Sequence, residues 1–234
     1  MSLSLPTIAA IETSTELASV ALLCGDRILS RESSGAQTHS MTVLGLLQEV
    51  LREQELTLAQ CDALAFGSGP GSFTGVRTAC GLAQGLAFGI NLPVVPVVTL
   101  LAMADAARTQ GAGDDIIAVL DARMGEVYWA QYRFDERWQI VSDPCLSVPE
   151  QVIADDASCA AGNGLAAYAD RFTALQSLHR LPEVTPHASH IALLGRQLAQ
   201  QGQGVHAREA QPLYLRNKVA LTTAERTAAH GAGA

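Results

Sequence analysis

The segment from Gly67 to Gly89, GSGPGSFTGVRTACGLAQGLAFG, is a glycine-rich loop that leads into a predicted helix. The backbone N–H groups at such a helix start commonly bind a phosphate. A Walker A loop also needs a lysine after its last glycine, whereas Gly75 is followed by Val76 and Arg77. The loop therefore lacks the cation that would neutralise the outer phosphates of ATP.

The same loop matches a dinucleotide-binding loop only in part. Gly67 and Gly69 occupy its first two glycine positions, but Ser72 stands at the third. The acidic residue that would bind the ribose is also missing, because Leu86–Val98 is apolar. We interpret the Gly-Pro-Gly run as an abrupt exit from a strand, where glycine permits a positive φ and Ser72 caps the helix.

Three glycines of the predicted helix Ser72–Ile90 form a stripe without side chains. Gly81, Gly85 and Gly89 recur every four residues, so they share one helix face. Each glycine costs roughly 1 kcal/mol relative to alanine in a helix interior, and close backbone approach is the physical candidate that offsets this cost. The stripe packs either on the chain's own sheet or on a second subunit, and the sequence leaves both alternatives open.

A second predicted helix, Ser40–Gln54, has a wider apolar face than one core requires. Its apolar positions span about 160°, compared with the roughly 100° that covers a core. The helix is either well buried or offers an apolar edge to a partner. The candidate partner-facing residues of this helix are Met41, Leu44, Leu47 and Leu51.

The same order of predicted elements occurs twice along the chain. In the first half, the strands Thr7–Ile11, Leu17–Cys24 and Ile28–Glu32 precede a helix, the strand Ala63–Phe66 and the glycine loop. The second half has strands at Ile116–Leu120, Val127–Phe134 and Trp138–Val141, a short helix at Pro149–Ala154, a strand at Ser158–Ala161, the turn Gly162-Asn163-Gly164 and a helix at Leu165–Phe172. This repetition predicts a duplicated α/β unit.

Such a unit resembles the actin-like ATPases and sugar kinases, whose two halves face each other across a nucleotide cleft. The resemblance implies two actin-like (ASKHA, duplicated ribonuclease-H-like) lobes, the second reduced. It also implies phosphate turns at Glu12, Thr13, Ser14 and Asp121, although neither turn has the expected D-x-G pattern. We predict lobes at residues 1–108 and 109–220, divided near the linker-like Ala106–Gly113, and a disordered tail at residues 221–234.

Four segments, IETSTELASVALL, GSGPGSFTGVRTACGLAQGLA, LDARMGEVYWAQY and QPLYLRNKVA, together resemble the bacterial TsaB (YeaZ) family. The resemblance implies a non-catalytic scaffolding subunit without a cofactor. Such a subunit is required, with its catalytic paralogue TsaD and the ATPase TsaE, for threonylcarbamoyl transfer to adenosine 37 of tRNAs that read codons beginning with A. The family usually has Asp where this chain has Glu12, which weakens any strict metal geometry at that turn.

Two other functions compete with this one. An ATP-dependent kinase or transferase stays open because both acidic positions, Glu12 and Asp121, are present. A metallopeptidase finds less support, because His39 is followed four residues later by Val43 and not by a second histidine. His187 and His190 share a helix face, but no carboxylate or cysteine lies near them in sequence. We therefore expect no metal site.

The net charge and the composition of the chain limit the kinds of partner that it is expected to bind. A net charge of −8 argues against tight binding of tRNA by the chain alone, so we expect tRNA contact only through the complex. We also expect a homodimer when TsaD is absent. Five scattered cysteines without a C-x-x-C pattern are typical of reduced thiols, and no apolar run reaches 18 residues. These features favour a cytoplasmic location without membrane contact.

Overall fold

The computed structural model of the chain describes residues 5–34 and 39–216. These residues form two five-stranded sheets with flanking helices, which is the predicted α/β class. The predicted disordered tail, residues 221–234, lies outside the described residues. Of the helices in the described part, none is long and apolar enough to cross a membrane. All five cysteines are free thiols, as expected.

The first sheet has the strand order β3-β2-β1-β4-β5. Its strands are β1 (Ile8–Glu12), β2 (Leu17–Cys24), β3 (Arg27–Ser34), β4 (Ala63–Gly69) and β5 (Val94–Val98). Strand β1 pairs antiparallel with β2 and parallel with β4, so it lies at the centre. All five of its residues are buried, because helices cover both faces of the sheet.

Two helices, α1 (His39–Glu53) and α2 (Phe73–Phe88), cover one face of this sheet side by side. Helix α2 turns small residues to the sheet, among them Ala79, Ala83 and Ala87, which allow close packing. Ser72 caps the helix as predicted, since its side chain accepts a hydrogen bond from the Gly75 amide at 3.1 Å.

The second sheet repeats the first, with the order β10-β9-β6-β7-β8. Its strands are β6 (Asp115–Arg123), β7 (Glu126–Asp135), β8 (Arg137–Ser147), β9 (Cys159–Ala161) and β10 (His179–Leu181). The central strand β6 pairs antiparallel with β7 and parallel with β9, as β1 does with its own neighbours. The shared topology confirms the predicted duplication.

The helices of the second half are shorter than predicted. The segment Pro149–Ala154 contains only a 3-10 turn at Pro149–Gln151, and Leu165–Phe172 contains only the end of α4 (Gly164–Ala167). Beyond α4, the chain buries Phe172 and Leu175 against the sheet. The segment is thus held by packing of its apolar side chains, and a continued helix is not needed to cover this face.

Two helices exchange places between the lobes. Helix α3 (Thr99–Thr109) follows β5 directly but packs on the second sheet, with Leu100 and Met103 in that core. Helix α5 (Ala188–Gln200) comes from the second half and packs on the first sheet through Ile191 and Leu194. Packing thus assigns α3 to the second sheet and α5 to the first, whereas the predicted division at residues 108 and 109 follows the order of the strands along the chain.

The predicted linker Ala106–Gly113 is also corrected by the structure. Its first residues belong to α3, and Ala106 and Ala107 are buried in the second core. Only the short turn that begins after Thr109 connects the helix to β6. Gly111 and Gly113 have positive φ there, which explains the glycine content that resembles a linker.

Candidate functional site

The acidic residue at the first turn, Glu12, is enclosed by the protein. It is fully buried, its Oε1 accepts a hydrogen bond from the Ser14 amide at 2.5 Å, and its Oε2 accepts one from the Thr99 hydroxyl at 3.4 Å. Gly67 lies against the carboxyl group so closely that a methyl group there would overlap with it. Burial raises the pKa of Glu12 above its ordinary value, and the hydrogen bonds from Ser14 and Thr99 oppose this only in part.

The glycine-rich loop packs on the turn that follows β1. A methyl group at Gly71 would overlap with Ser14, and one at Gly75 would overlap with the carbonyl oxygen of Thr13. The Ser72 amide donates to the Ser14 carbonyl at 2.7 Å, and the Thr13 hydroxyl donates to the Gly75 carbonyl at 2.8 Å. In a phosphate-binding loop, glycines let the backbone come close to the ligand. In this chain, they let the loop backbone come close to Thr13 and Ser14.

This packing also uses the donors at the start of α2. The amide of Ser72 binds the first turn, and the amide of Gly75 binds the cap hydroxyl of Ser72. The amide of Val76 donates to the carbonyl of Ser72 at 3.0 Å. Because these three N–H groups are engaged within the chain, they are not available to an anion at this helix start.

The second half repeats the arrangement at Asp121. Asn163 accepts a hydrogen bond from the Asp121 amide at 2.9 Å, and a methyl group at Gly162 would overlap with the carbonyl oxygen of Val119. The Asp121 carboxylate accepts from the Arg123 amide at 2.8 Å and from the Tyr168 hydroxyl at 2.9 Å. Both acidic side chains that the sequence singled out thus have partners within the chain.

A cleft of about 1090 Å³ lies between the lobes. Residues from both halves line it, among them Ser14, Thr15, Ser72, Asp121, Arg123 and Asn163. Ion pairs cross or border the cleft: Arg123 lies 3.1 Å from Glu16 of the first lobe, and Arg216 pairs with Glu126 at 2.5 Å. Of the predicted turn residues, Ser14 and Asp121 line the cleft, whereas Glu12 and Thr13 are fully buried and do not line it.

The segment Gln211–Arg216, which we call the strap, runs along this cleft from one lobe to the other. The Leu213 amide donates to the Ser68 carbonyl at 2.7 Å, and Leu215 packs on the core of the second lobe. Arg216 donates to the carbonyl of Ala122 at 3.2 Å. Local periodicity does not identify the groups that the strap contacts, because the strap has no periodic pattern.

The histidine pair is engaged by carboxylates that come from other elements. His190 Nδ1 lies 2.7 Å from Asp105 of α3, and His187 Nε2 lies 3.3 Å from Glu32 of β3. Burial lowers the pKa of His187 below its ordinary value. Across residues 5–34 and 39–216, no group of three or more His, Cys, Asp or Glu side chains is suited to hold a metal ion.

The predicted partner surface divides into an outer part and an inner part. Met41 is 76% exposed, Leu44 is half-buried, and a methyl group at Gly81, Gly85 or Gly89 would meet no other atom within 4 Å. Leu47 and Leu51 instead lie in the core of the first lobe, with 3% and 9% exposure. Leu47 and Leu51 are therefore core residues and do not face a partner as predicted, because they lie on the side of α1 that covers the sheet.

The chain is similar to known proteins over most of its length. The family model described as "TsaD: tRNA N6-adenosine threonylcarbamoyltransferase" matches residues 31–223. A protein of Haemophilus influenzae described as tRNA threonylcarbamoyladenosine biosynthesis protein TsaB is 40% identical over 226 residues, which are 91% of this chain and 94% of the relative. The Escherichia coli protein of the same description is 37% identical and covers 91% of this chain and 96% of its own.

This chain belongs to the TsaB (YeaZ) family. A solved structure described as YeaZ from Pseudomonas aeruginosa agrees, with a TM-score of 0.84, 36% identity and coverage of 90% of this chain and 100% of its own. A second structure from that organism, described as an uncharacterized protein with similarity to peptidase YEAZ, has a TM-score of 0.85 and 35% identity over the same shares. The resemblance inferred from the four sequence segments is confirmed.

Substitution by alanine should have opposite effects on stability at the tightly packed and at the open glycines of α2. Gly75→Ala is expected to lower the free energy of unfolding by about 1–3 kcal/mol, because the added methyl group overlaps with the Thr13 carbonyl. Gly81→Ala, the matched control in the same helix, is expected to raise it by up to about 1 kcal/mol, since the site is open. Urea denaturation measures both. Equal effects would contradict the packing of the loop on the turn.

The enclosed Glu12 should make stability depend on pH. Because its pKa is raised, the folded state keeps a proton that the unfolded chain releases near the ordinary value of 4.5. Wild-type stability is therefore lost as the pH rises from that value through the folded pKa. Glu12→Gln cannot ionise, so its stability relative to wild type should rise as the pH increases above 4.5 in urea denaturation. A difference that is constant with pH would contradict the raised pKa.

Proposed function

We propose that this chain is a non-catalytic subunit in the biosynthesis of threonylcarbamoyladenosine in tRNA. Membership of the TsaB family supports involvement in that pathway, since the curated relatives carry this description. In the proposal, the chain acts in the cytoplasm with TsaD and TsaE in threonylcarbamoyl transfer to adenosine 37, and it supports the catalytic paralogue without performing the transfer itself.

The non-catalytic role rests on one observation, the packing of the glycine loop on the turn after β1. This packing engages the Ser72 and Gly75 amides at the start of α2 and encloses the carboxyl group of Glu12. A carboxyl group that is fully buried is closed to a metal ion in the cleft, and the burial that raises its pKa disfavours the ionised form that a metal ligand needs. The acidic side chain of the first turn that does line the cleft, Glu16, is paired with Arg123 of the second lobe.

The competing function is an ATP-dependent kinase or transferase of the same fold. The observation that favours this alternative is the cleft between the lobes, which Asp121 borders. However, Asp121 is already engaged by Arg123 and Tyr168, and the loop carries no lysine. A non-catalytic role is the function that these contacts support best.

The proposed partner surface is formed by the outer sides of α1 and α2. Met41 on α1 and the glycines 81, 85 and 89 on α2 leave this side apolar and without bulk, which favours close approach of another helix pair. The match to the TsaD family model supports a partner with the same elements and hence with an equivalent pair of helices. In the absence of TsaD, a second copy of this chain would use the same surface.

The isolated chain should not turn over ATP. With Mg-ATP, phosphate release is expected to equal that of the buffer, because the Ser72 and Gly75 amides and the Glu12 carboxyl group are engaged within the chain and the loop has no lysine. Phosphate release is measured on wild type and on the Glu12→Gln, Asp121→Asn double variant. Metal-dependent turnover by wild type that the double variant loses would favour the kinase instead.

Gly85→Leu should block the partner without unfolding the chain. The site is open and leucine favours a helix, so the circular dichroism spectrum and the melting temperature should be retained. Affinity for TsaD, measured by calorimetry, is expected to fall at least about tenfold, because the side chain holds the helices apart. The control Gln200→Leu adds the same side chain to an exposed site on α5, which packs on the opposite face of the first sheet, and should bind normally. Normal binding by folded Gly85→Leu would move the interface elsewhere.

A further inference from the structure

The open face of α2 continues beyond its glycines toward the start of the helix. Phe73 and Arg77 precede Gly81 at the same four-residue spacing, so neighbouring positions lie side by side and the five, including Gly85 and Gly89, form a stripe that winds around the helix. Phe73 is 44% exposed, and Arg77 is exposed as well. We call this set the α2 face. It carries a single charge, because Arg77 is the only charged residue in the helix.

Arg77 is fixed in place by two aromatic rings. Its guanidinium carbon lies 3.7 Å from the ring centroid of Phe73 and 5.5 Å from that of Tyr214. Its Nε donates a hydrogen bond to the Tyr214 hydroxyl at 2.6 Å. A guanidinium group stacked on a ring keeps its in-plane N–H donors, so Arg77 still has the edge that binds a carboxylate in two parallel hydrogen bonds.

Arg77 differs from the arginines that form ion pairs in this structure. Arg31, Arg133 and Arg171 each pair with a carboxylate of the chain. Among residues 5–34 and 39–216, no carboxylate lies within ion-pair distance of Arg77, and its polar contact is the neutral hydroxyl of Tyr214. In a chain with a net charge of −8, a fixed arginine with an unused carboxylate-binding edge is a positive point on an otherwise neutral helix.

Tyr214 is held by the strap, which is anchored on both lobes. On the side of the first lobe, the Leu213 amide binds the Ser68 carbonyl, and the Ala210 carbonyl just before the strap accepts hydrogen bonds from Gln84 of α2 at 2.9 Å and from the Cys80 thiol at 3.5 Å. On the side of the second lobe, Arg216 pairs with Glu126. The strap therefore fixes the ring that positions Arg77, and a partner that covers the α2 face would also reach the strap.

We propose that the partner surface extends from the glycines of α2 onto the strap, and that Arg77 there binds a carboxylate of the partner. The occupant is a helix of the paralogous partner that carries an aspartate or glutamate opposite Arg77. This inference rests on the proposed function, since it concerns the same surface. Charge complementarity and continuity with the glycines carry it: the apolar stripe provides close contact, and the fixed cation sets the register of the docked helix.

Calorimetric titration of the full chain with TsaD at several salt concentrations tests the proposal. Arg77→Ala is expected to weaken binding about tenfold or more and to reduce the salt dependence of the affinity. Arg77→Lys should recover part of the affinity, because it keeps the charge but not the planar fork. Arg137→Ala, the control, removes the same charge from an exposed site on β8 and should bind like wild type. If Arg77→Ala binds like Arg137→Ala, the proposal is overturned.

Gly85→Leu separates this proposal from the function on which it rests. Wild type that does not bind TsaD at all overturns both. Loss of binding in Gly85→Leu but not in Arg77→Ala overturns only the carboxylate anchor.

Hydrogen exchange gives a second readout: partner binding should slow exchange of the Leu213 amide in wild type and much less in Arg77→Ala, because the anchor connects the partner to the strap. Equal protection in both proteins contradicts the anchor. An Arg77-dependent self-association stronger than TsaD binding would assign the surface to a second copy.

Discussion

A single methyl group at Gly75 or Gly162 would overlap with a backbone carbonyl oxygen, Thr13 in the first case and Val119 in the second. This contact between a glycine loop and the end of a central strand is the constraint on which the rest of the structure depends. A contact of this kind occurs in each lobe: Gly75 lies in the first turn of α2, and Gly162 directly follows β9. Residues of both loops, Ser72 and Asn163, line the cleft.

The consequences for chemistry follow from this packing. With the loop seated on the first turn, Glu12 is enclosed next to Gly67 and Thr99, and water cannot solvate its charge. The second acid, Asp121, stays at the cleft but is held by Arg123 and Tyr168. A fold that is shared with nucleotide-binding enzymes therefore keeps its cleft while its acidic groups serve the protein's own structure.

The exchange of helices between the lobes binds the two halves together. Helix α3 covers the second sheet and α5 covers the first, so the first lobe completes its core with a helix that follows the second sheet in the chain. A hydrogen-bonded set at this junction connects His190 of α5 and Trp138 of β8 to the same carboxylate, that of Asp105 on α3. The strap adds a further connection along the cleft. The outward side of α2 is thus carried on a framework that involves both lobes.

The sequence by itself determined the local elements and the duplication. Alternating apolar residues predicted the strands, the serine before α2 predicted its cap, and the missing lysine argued against a Walker A loop, because each of these depends on neighbouring residues alone. The family resemblance likewise followed from short segments such as LDARMGEVYWAQY. Strand β5 and helix α3, within the apolar stretch that begins at Leu92, were not predicted, since a continuous apolar run has no clear period.

Only the tertiary structure decided which way side chains face and which distant groups meet. Leu44 and Leu47 are both apolar and lie three residues apart, yet one is half-buried and the other is in the core, because the position of α1 on the sheet sets the boundary between them. Asp105 and Glu32 reach the histidines from other elements, which no local spacing indicates. The enclosure of Glu12 depends on contacts with residues 67 and 99, and such contacts exist only once the sheet has formed and its neighbours have packed.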